Sequence, residues 1–288
     1  MSKIDLHCHS NASDGSLSPA ELIERACQLG LTHLALTDHD CIEGYSEAYA
    51  AAAGRLELIP GAELSALWEG NQIHVVGLFL QLDSQVLREF LQGQLRLRIQ
   101  RAEEIGAKLE KLGFTDAYER TRAMSRADTV VTRGNYARFI VNEGKAVTTD
   151  EAFNTYLKKG KKAYVSTCWP ELKIVVEAIK ASGGVAVLAH PLRYDLTNSK
   201  LRRLIKTFKE SGGEAMEVAS CQQRPVDRDF LGKLSLQYEL LASVGSDFHI
   251  PQQWRELGYN LDLPSEVVPI WNCPQAQKYR FNAEYIES

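Results

Sequence analysis

Apolar residues recur along this chain in two alternating rhythms, short runs of strand length and longer stretches at helical spacing. Residues 4–9 form the first short run. Ser18-Pro19-Ala20-Glu21 then reads as a capping box with proline at the first helical position, followed by Leu22, Ile23 and Ala26 and closed by Gly30. Strand-like runs are expected at 31–36, 56–59 and 72–80, with an alanine-rich helix over about 43–53. From about 84 to 112, Leu87, Leu91, Leu95, Ile99, Ala102, Ile105 and Leu109 keep a helical period up to Gly113. Residues 114–165 read as short helices and loops. The earlier rhythm then resumes, with helices at 170–182, 199–211 and 225–237 and strands at 185–189, 215–219 and 240–244. From 251 onward the pattern is irregular and suggests no function.

Strand, helix, strand with short connections indicates an α/β fold built of βαβ units and a largely parallel sheet. The change of period divides the chain into a barrel-like part over 1–95, an inserted, mostly helical subdomain over 96–165, and a second barrel part over 166–288. At 288 residues, 44% hydrophobic and 24% charged, the chain is long enough to bury a sizeable core. No signal peptide precedes the first strand, and no apolar run approaches the roughly 18 residues of a membrane span. Six cysteines without C-x-x-C spacing point to a reduced, cytoplasmic setting. The net charge is −4, but residues 96–162 hold 15 Lys/Arg against 9 Asp/Glu, a balance of +6, and the rest holds 18 against 28, or −10. A basic segment on an acidic body suits an anionic substrate such as a polyphosphate or nucleic acid, although solvated helix faces would give the same balance.

The polar residues that follow the apolar runs carry the chemistry. His7 and His9 are two apart on an extended chain and so face one way, while Cys8 faces the other. Asp14 lies in the next loop. Asp38/His39, Glu63, His190 and Asp247/His249 are expected directly after strand ends, and His74 near the start of its strand. That rim is where barrel-type α/β folds assemble their active sites. His33, at the start of a strand, is expected to be structural. Six imidazoles with Asp14, Glu63 and Asp247 exceed what one ion can use, since catalytic ions take about three protein ligands and keep a position open. Two or three ions are therefore expected, with metal-activated water as nucleophile and phosphate oxygens completing the site.

Through H7-x-H9, D14, T37-D38-H39-D40, E63, H74, H190-P191 and D247-x-H249, the sequence resembles the polymerase-and-histidinol-phosphatase (PHP) metallohydrolases. Within them it is similar to the group of bacterial 5′→3′ exoribonucleases and 3′,5′-nucleoside bisphosphate phosphatases, through the helical insert and segments 132–138, 189–194 and 216–223. The resemblance implies a distorted (β/α)7 barrel with three divalent ions, most commonly Mn2+, with Zn2+ or Fe2+ also used. It implies that His7, His9, Glu63 and Asp247 hold the first ion, that Glu63, His74 and His190 hold the second, and that Asp14, His39 and His249 hold the third. Asp38 is expected to orient a ligand or cap a turn, and Glu63 and Asp247 to act in catalysis. The implied chemistry is removal of the 3′-phosphate from 3′,5′-bisphosphonucleotides and stepwise release of mononucleotides from short 5′-phosphorylated RNA, including ribosomal RNA 5′ ends. No membrane or obligate protein partner is implied. Both reactions need an anchor for the 5′-phosphate, with Arg133, Asn135, Lys161 and Arg193 as candidates. The group's pattern leads one to expect histidine at 135, and Asn135 cannot act as a cationic acid. Tyr136, Phe139 and Tyr156 have base-stacking chemistry, but at helical spacing they read equally as core. Other readings of the same ligands are a phosphatase of another phosphomonoester, a carbon–nitrogen hydrolase, and a catalytically silent metal-stabilised module.

Overall fold

A computed structural model describes residues 3–126, 129, 131–166, 168–252 and 255–281. In chain order the elements are β1 (Ile4–Cys8), α1 (Pro19–Gln28), β2 (His33–Leu36), α2 (Tyr45–Ala52), β3 (Glu57–Trp68), β4 (Asn71–Leu78) and α3 (Gln85–Glu110). Then follow α4 (Ala117–Ala123), α5 (Arg133–Asn142), α6 (Thr149–Ala152), α7 (Leu172–Ala181), β5 (Val185–Leu188), α8 (Asn198–Glu210), β6 (Ala215–Ala219), α9 (Pro225–Gln237) and β7 (Leu241–Val244). The seven strands form one sheet in sequence order. Neighbours pair in parallel except where β4 runs against both β3 and β5. The ends of the sheet meet: Cys8 bridges Phe248, Asp247 N–H donates to His7 O at 2.8 Å, and His9 N–H donates to Phe248 O at 2.9 Å. The architecture is thus a seven-stranded α/β barrel in which one strand is reversed.

Three features depart from the pattern read in the sequence. First, β3 runs straight through Pro60-Gly61 to Trp68, so Glu63 lies within a strand rather than after one. Pro60 is tolerated because its carbonyl still accepts from Leu80 N–H, while a Cβ on Gly61 would sit 2.8 Å from the Thr37 methyl and 2.9 Å from Gly77 O. Second, α3 is continuous across residue 96. Its first turns place Leu87 and Leu91 in the apolar cluster of α7 and the sheet, and its later turns place Ala102, Ile105 and Leu109 with Phe114, Tyr136, Phe139 and Leu157. Third, the irregular tail is structural. Leu261, Ile270, Cys273, Ala276 and Phe281 pack against Leu6, Ile59, Val76, Phe79 and Val187, stoppering the mouth where β2 and β7 begin. There His33 stacks on Phe281 with ring centroids 4.2 Å apart, and burial pushes its pKa down to about 4. His33 therefore has the structural place expected for it. No helix among the described residues is long and apolar enough to cross a membrane.

Candidate metal and anion site

The open rim of the barrel gathers the histidines, and a ladder irregularity in β1 aims the central ones. The β1–β2 register slips between Asp5 and Cys8. Beyond the slip His7 and His9 share one side, with Nε2 atoms 3.1 Å apart, and Cys8 packs outward with Leu22, Ile23 and Phe248. In β6 the ordinary alternation turns Glu217 inward with Ala215 and Ala219, while Met216 and Val218 pack outward against the helices. Two more site residues, His190 (φ 29°) and Asp247 (φ 51°), hold left-handed backbone, a conformation kept only where surrounding structure enforces it. Because β4 is reversed, its beginning lies at the rim where its neighbours end, and this brings His74 to the others.

Glu63 is the hub. Its Oε1 lies 2.9 Å from both His74 Nδ1 and His190 Nε2, and its Oε2 lies 2.8 Å from His39 Nδ1 and 3.4 Å from His9 Nε2. Asp247 Oδ1 is 3.1 Å from His9 Nε2, and Asp14 Oδ1 is 3.2 Å from His249 Nε2. Donor atoms of His7, His9, Glu63 and Asp247 lie within 4.8 Å of one another, as do those of His9, Asp14, His39 and His249 and those of His39, Glu63 and His74. The first two sets contain the groupings expected from the sequence. In the third, His39 takes the place expected of His190, which nevertheless touches the same Glu63 oxygen.

Several of these close contacts are not hydrogen bonds. Glu63 Oε2, His39 Nδ1 and Asp14 Oδ1 are buried without a hydrogen-bond partner although complementary atoms lie nearby. Close together yet without hydrogen bonds, these atoms are available as ligand atoms for ions. The charge states agree. Burial opposes ionisation of Asp14, Glu63 and Asp247, yet adjoining imidazoles, and for Asp247 foremost the Arg193 guanidinium, hold all three well below the usual carboxylate range. Burial holds His39 down to about 4, whereas Asp14 and Asp247 overcome burial and raise His249 to about 9. Ionised carboxylates among buried imidazoles are the donors that borderline divalent ions take.

The pattern of the PHP domain matches residues 5–219, three quarters of the chain. The chain belongs to the PHP family. A 5′-3′ exoribonuclease of Haemophilus influenzae is 48% identical over 270 residues, covering 93% of this PHP protein and 98% of that one. A 3′,5′-nucleoside bisphosphate phosphatase of Chromobacterium violaceum is 38% identical over 282 residues, covering 97% and 99%. Among solved structures, one described as an amidohydrolase from Chromobacterium violaceum matches with a TM-score of 0.89 at 38% identity, covering 94% and 95% of the two chains. One described as a metal-dependent phosphoesterase from Bifidobacterium adolescentis matches with a TM-score of 0.78 at 26% identity, covering 93% of each.

The remaining candidates of this PHP protein are distributed unevenly. Arg133 opens α5 and lines a 140 Å³ cavity whose walls also include Asp14, His39, His74 and His249. Arg193 ion-pairs with Asp247 and lines a neighbouring 240 Å³ cleft with Ser220, Gln222, Gln223 and Asp227. Asn135 is engaged differently: its Oδ1 accepts from Thr132 N–H at 2.7 Å, closing the α5 cap. Lys161 is exposed in a turn and is not among the residues lining these cavities, because the turn that carries it points to solvent. Asp38 is neither in contact with an imidazole nor in a ligand set; it accepts from Ser10 N–H, Ser10 Oγ and Ser13 Oγ and fastens the loop that carries Asp14. Tyr136 and Phe139 are core, and the Tyr136 hydroxyl donates to Ala102 O.

Three functional side chains escaped the sequence reading. Glu217 Oε1 lies 2.5 Å from His7 Nδ1 while its Oε2 accepts from His190 N–H at 2.6 Å, orienting two ligand residues. Arg98 and Arg101 lie 5.4 and 5.6 Å over Trp169 in the same cavity wall as Arg133. Arg98 is neutralised by Asp40, but the Arg101 Nε is buried without a partner, and burial followed by repulsion from Arg133 and Arg98 pushes its pKa down to about 9. For the arginines the available signal was the basic balance of residues 96–162, which identifies no particular residue; for Glu217 it was a lone acid inside the apolar run 215–219.

Proposed function

We propose that this protein is a metal-dependent phosphoesterase that removes the 3′-phosphate of 3′,5′-bisphosphonucleotides and releases mononucleotides stepwise from the 5′ end of RNA. The observation that carries the reading is the cavity lined both by Arg101 and Arg133 and by Asp14, His39, His74 and His249 of the ligand set. The names of the two curated relatives support the same substrate class. Three divalent ions, Mn2+ foremost, are the proposed cofactors, held by His7, His9, Asp14, His39, Glu63, His74, His190, Asp247 and His249. Bound there, such ions supply Lewis acidity and lower the pKa of water toward neutrality.

The chain's own residues position the rest. Arg133 and Arg101 take the 5′-phosphate, since buried guanidiniums lacking carboxylate partners are completed by a phosphate dianion. That fixes the 3′ ester at the ligand set. In either substrate a water oxygen forms the new bond to phosphorus, the P–O3′ bond breaks, and the 3′ oxygen takes up a proton. On RNA the shortened strand carries a new 5′-phosphate, so the same anchor serves the next cycle. The basic segment over 96–165 is proposed as the inserted unit that brings these arginines to the rim.

The purified, Mn2+-loaded protein should hydrolyse 3′,5′-bisphosphoadenosine and short 5′-phosphorylated RNA and leave an amide panel untouched. His9→Ala or Asp247→Asn should abolish both phosphoesterase activities while circular dichroism stays native. Near-normal rates in either variant, or hydrolysis confined to amides, would refute the reading.

A further inference from the structure

Gln72 and His74 are two residues apart on β4 and share one of its faces. Gln72 Nε2 lies 3.0 Å from His74 Nε2, while Gln72 Oε1 accepts from Arg101 Nη2 at 3.3 Å and from Arg133 Nη2 at 3.5 Å. His74 turns its other nitrogen, Nδ1, to Glu63. A primary amide has one donating and one accepting end, and so has a neutral imidazole. The arrangement is self-consistent: His74 Nδ1–H donates to Glu63, Nε2 accepts from the Gln72 amide, and the amide oxygen is shared by the two guanidiniums.

That consistency ends when His74 acts as a ligand. A histidine nitrogen that binds an ion carries no proton. With Nδ1 so engaged, the ring proton sits on Nε2 and faces the Gln72 NH2, donor against donor. Turning the amide over restores one hydrogen bond, from His74 Nε2–H to Gln72 Oε1. It also points the NH2 at Arg101 and Arg133, which lose the acceptor they share among the described residues. Three sets of N–H donors then line one cavity of 140 Å³, and an anion with several oxygens satisfies all of them.

We propose that Gln72 is a positioning residue that couples ion binding at His74 to phosphate binding at Arg101 and Arg133. The inference depends on the ion-holding reading of the site. The coupling is positive and, by linkage, reciprocal: the anion favours the amide orientation that the liganded histidine requires.

The test is calorimetric titration of the metal-stripped full chain with Zn2+, with and without sulfate, in wild type, Gln72→Leu and Gln72→Glu. Sulfate should tighten Zn2+ binding about tenfold in wild type, within the usual range of coupled sites, and much less in Gln72→Leu, where only direct ion–anion attraction remains. In Gln72→Glu a fixed acceptor serves histidine and guanidiniums together, so sulfate should give no more gain than in Gln72→Leu. Nitrogen-15 spectra of the imidazoles should show His74 protonated at Nε2 only in the Zn2+-loaded protein. Equal sulfate enhancement in Gln72→Leu and wild type, or an Nε2 proton in the stripped protein, would overturn the coupling while leaving the metal site intact. Zn2+ binding that is unchanged in His74→Ala would overturn both.

Discussion

Replacing Glu217 by glutamine changes one atom and should weaken metal binding by one to two orders of magnitude. Glu217 is 3% exposed and accepts on both oxygens, from His7 Nδ1–H at 2.5 Å and from His190 N–H at 2.6 Å. A glutamine keeps one acceptor and sets an NH2 against the other donor. One buried donor is then left without a partner, which costs about 1–3 kcal/mol. The outer partners of metal-binding histidines are typically worth about 10–100-fold in affinity, or roughly 1.4–2.7 kcal/mol, so the two routes to the magnitude agree. The pH dependence has a definite sign. Burial opposes the charge on His7, and Glu217 with Glu63 overcomes it and raises the pKa of the metal-free protein. Wild type therefore suffers more proton competition at low pH than Glu217→Gln does, and the gap between them should narrow as pH falls. Isothermal titration with Mn2+ at several pH values measures this, with urea unfolding of the metal-free protein as the control for fold. A glutamine variant that folds normally and binds Mn2+ within about twofold of wild type would refute the orienting role.

Gly245→Ala should damage stability and metal binding together. A Cβ there overlaps the His7 side chain and comes within 2.8 Å of Glu217 Oε1, so overpacking of about 1–3 kcal/mol is expected in urea unfolding; an unchanged midpoint would contradict the packing. Arg133→Ala should lower kcat/KM on 5′-phosphorylated substrates far more than on their 5′-hydroxyl counterparts, and equal losses on both would remove the anchor. His33 titrates at about 4 when folded against about 6.5 unfolded, so the unfolded chain binds more protons in that window. Stability from this residue is present above pH 6.5 and is lost as pH falls toward 4; a His33→Gln variant should show a flatter profile, and an identical slope would exclude the residue. Stripping the ions with EDTA should lower Tm, because Mn2+ at 100 times its Kd adds about 2.7 kcal/mol per ion; a Tm indifferent to EDTA would argue against bound metal.

The barrel was legible because each strand announces itself twice, by an apolar run and by the polar residues that follow it. His7, His9, His39, His190, Asp247 and His249 stand out on that basis. Glu63 was found despite a misplaced strand end, since a proline and a glycine resemble a stop even where backbone pairing continues through them. Glu217 was passed over because an apolar run buried on both faces does not say which way its one acid points; its place in the alternation, with Ala215 and Ala219, turns it inward. Asn135 and Asp38 have the chemistry of site residues, and a helix cap and a loop fastening claim them first. Arg101 could not be separated from solvated arginines on its helix, because its burial depends on Trp169, 68 residues away in sequence. The tail carries no periodicity, and its apolar residues acquire meaning only against the barrel floor.

The side chains that fill the barrel, with the tail packed beneath them, make it a cup and not a pipe. A strand end cannot thread through it, so whatever enters over the rim must also leave over the rim. Under the proposed activity, a freed mononucleotide and the next strand end contend for one doorway. Product accumulation should slow turnover by competition, and the length of RNA removed per encounter should depend on how quickly the doorway clears.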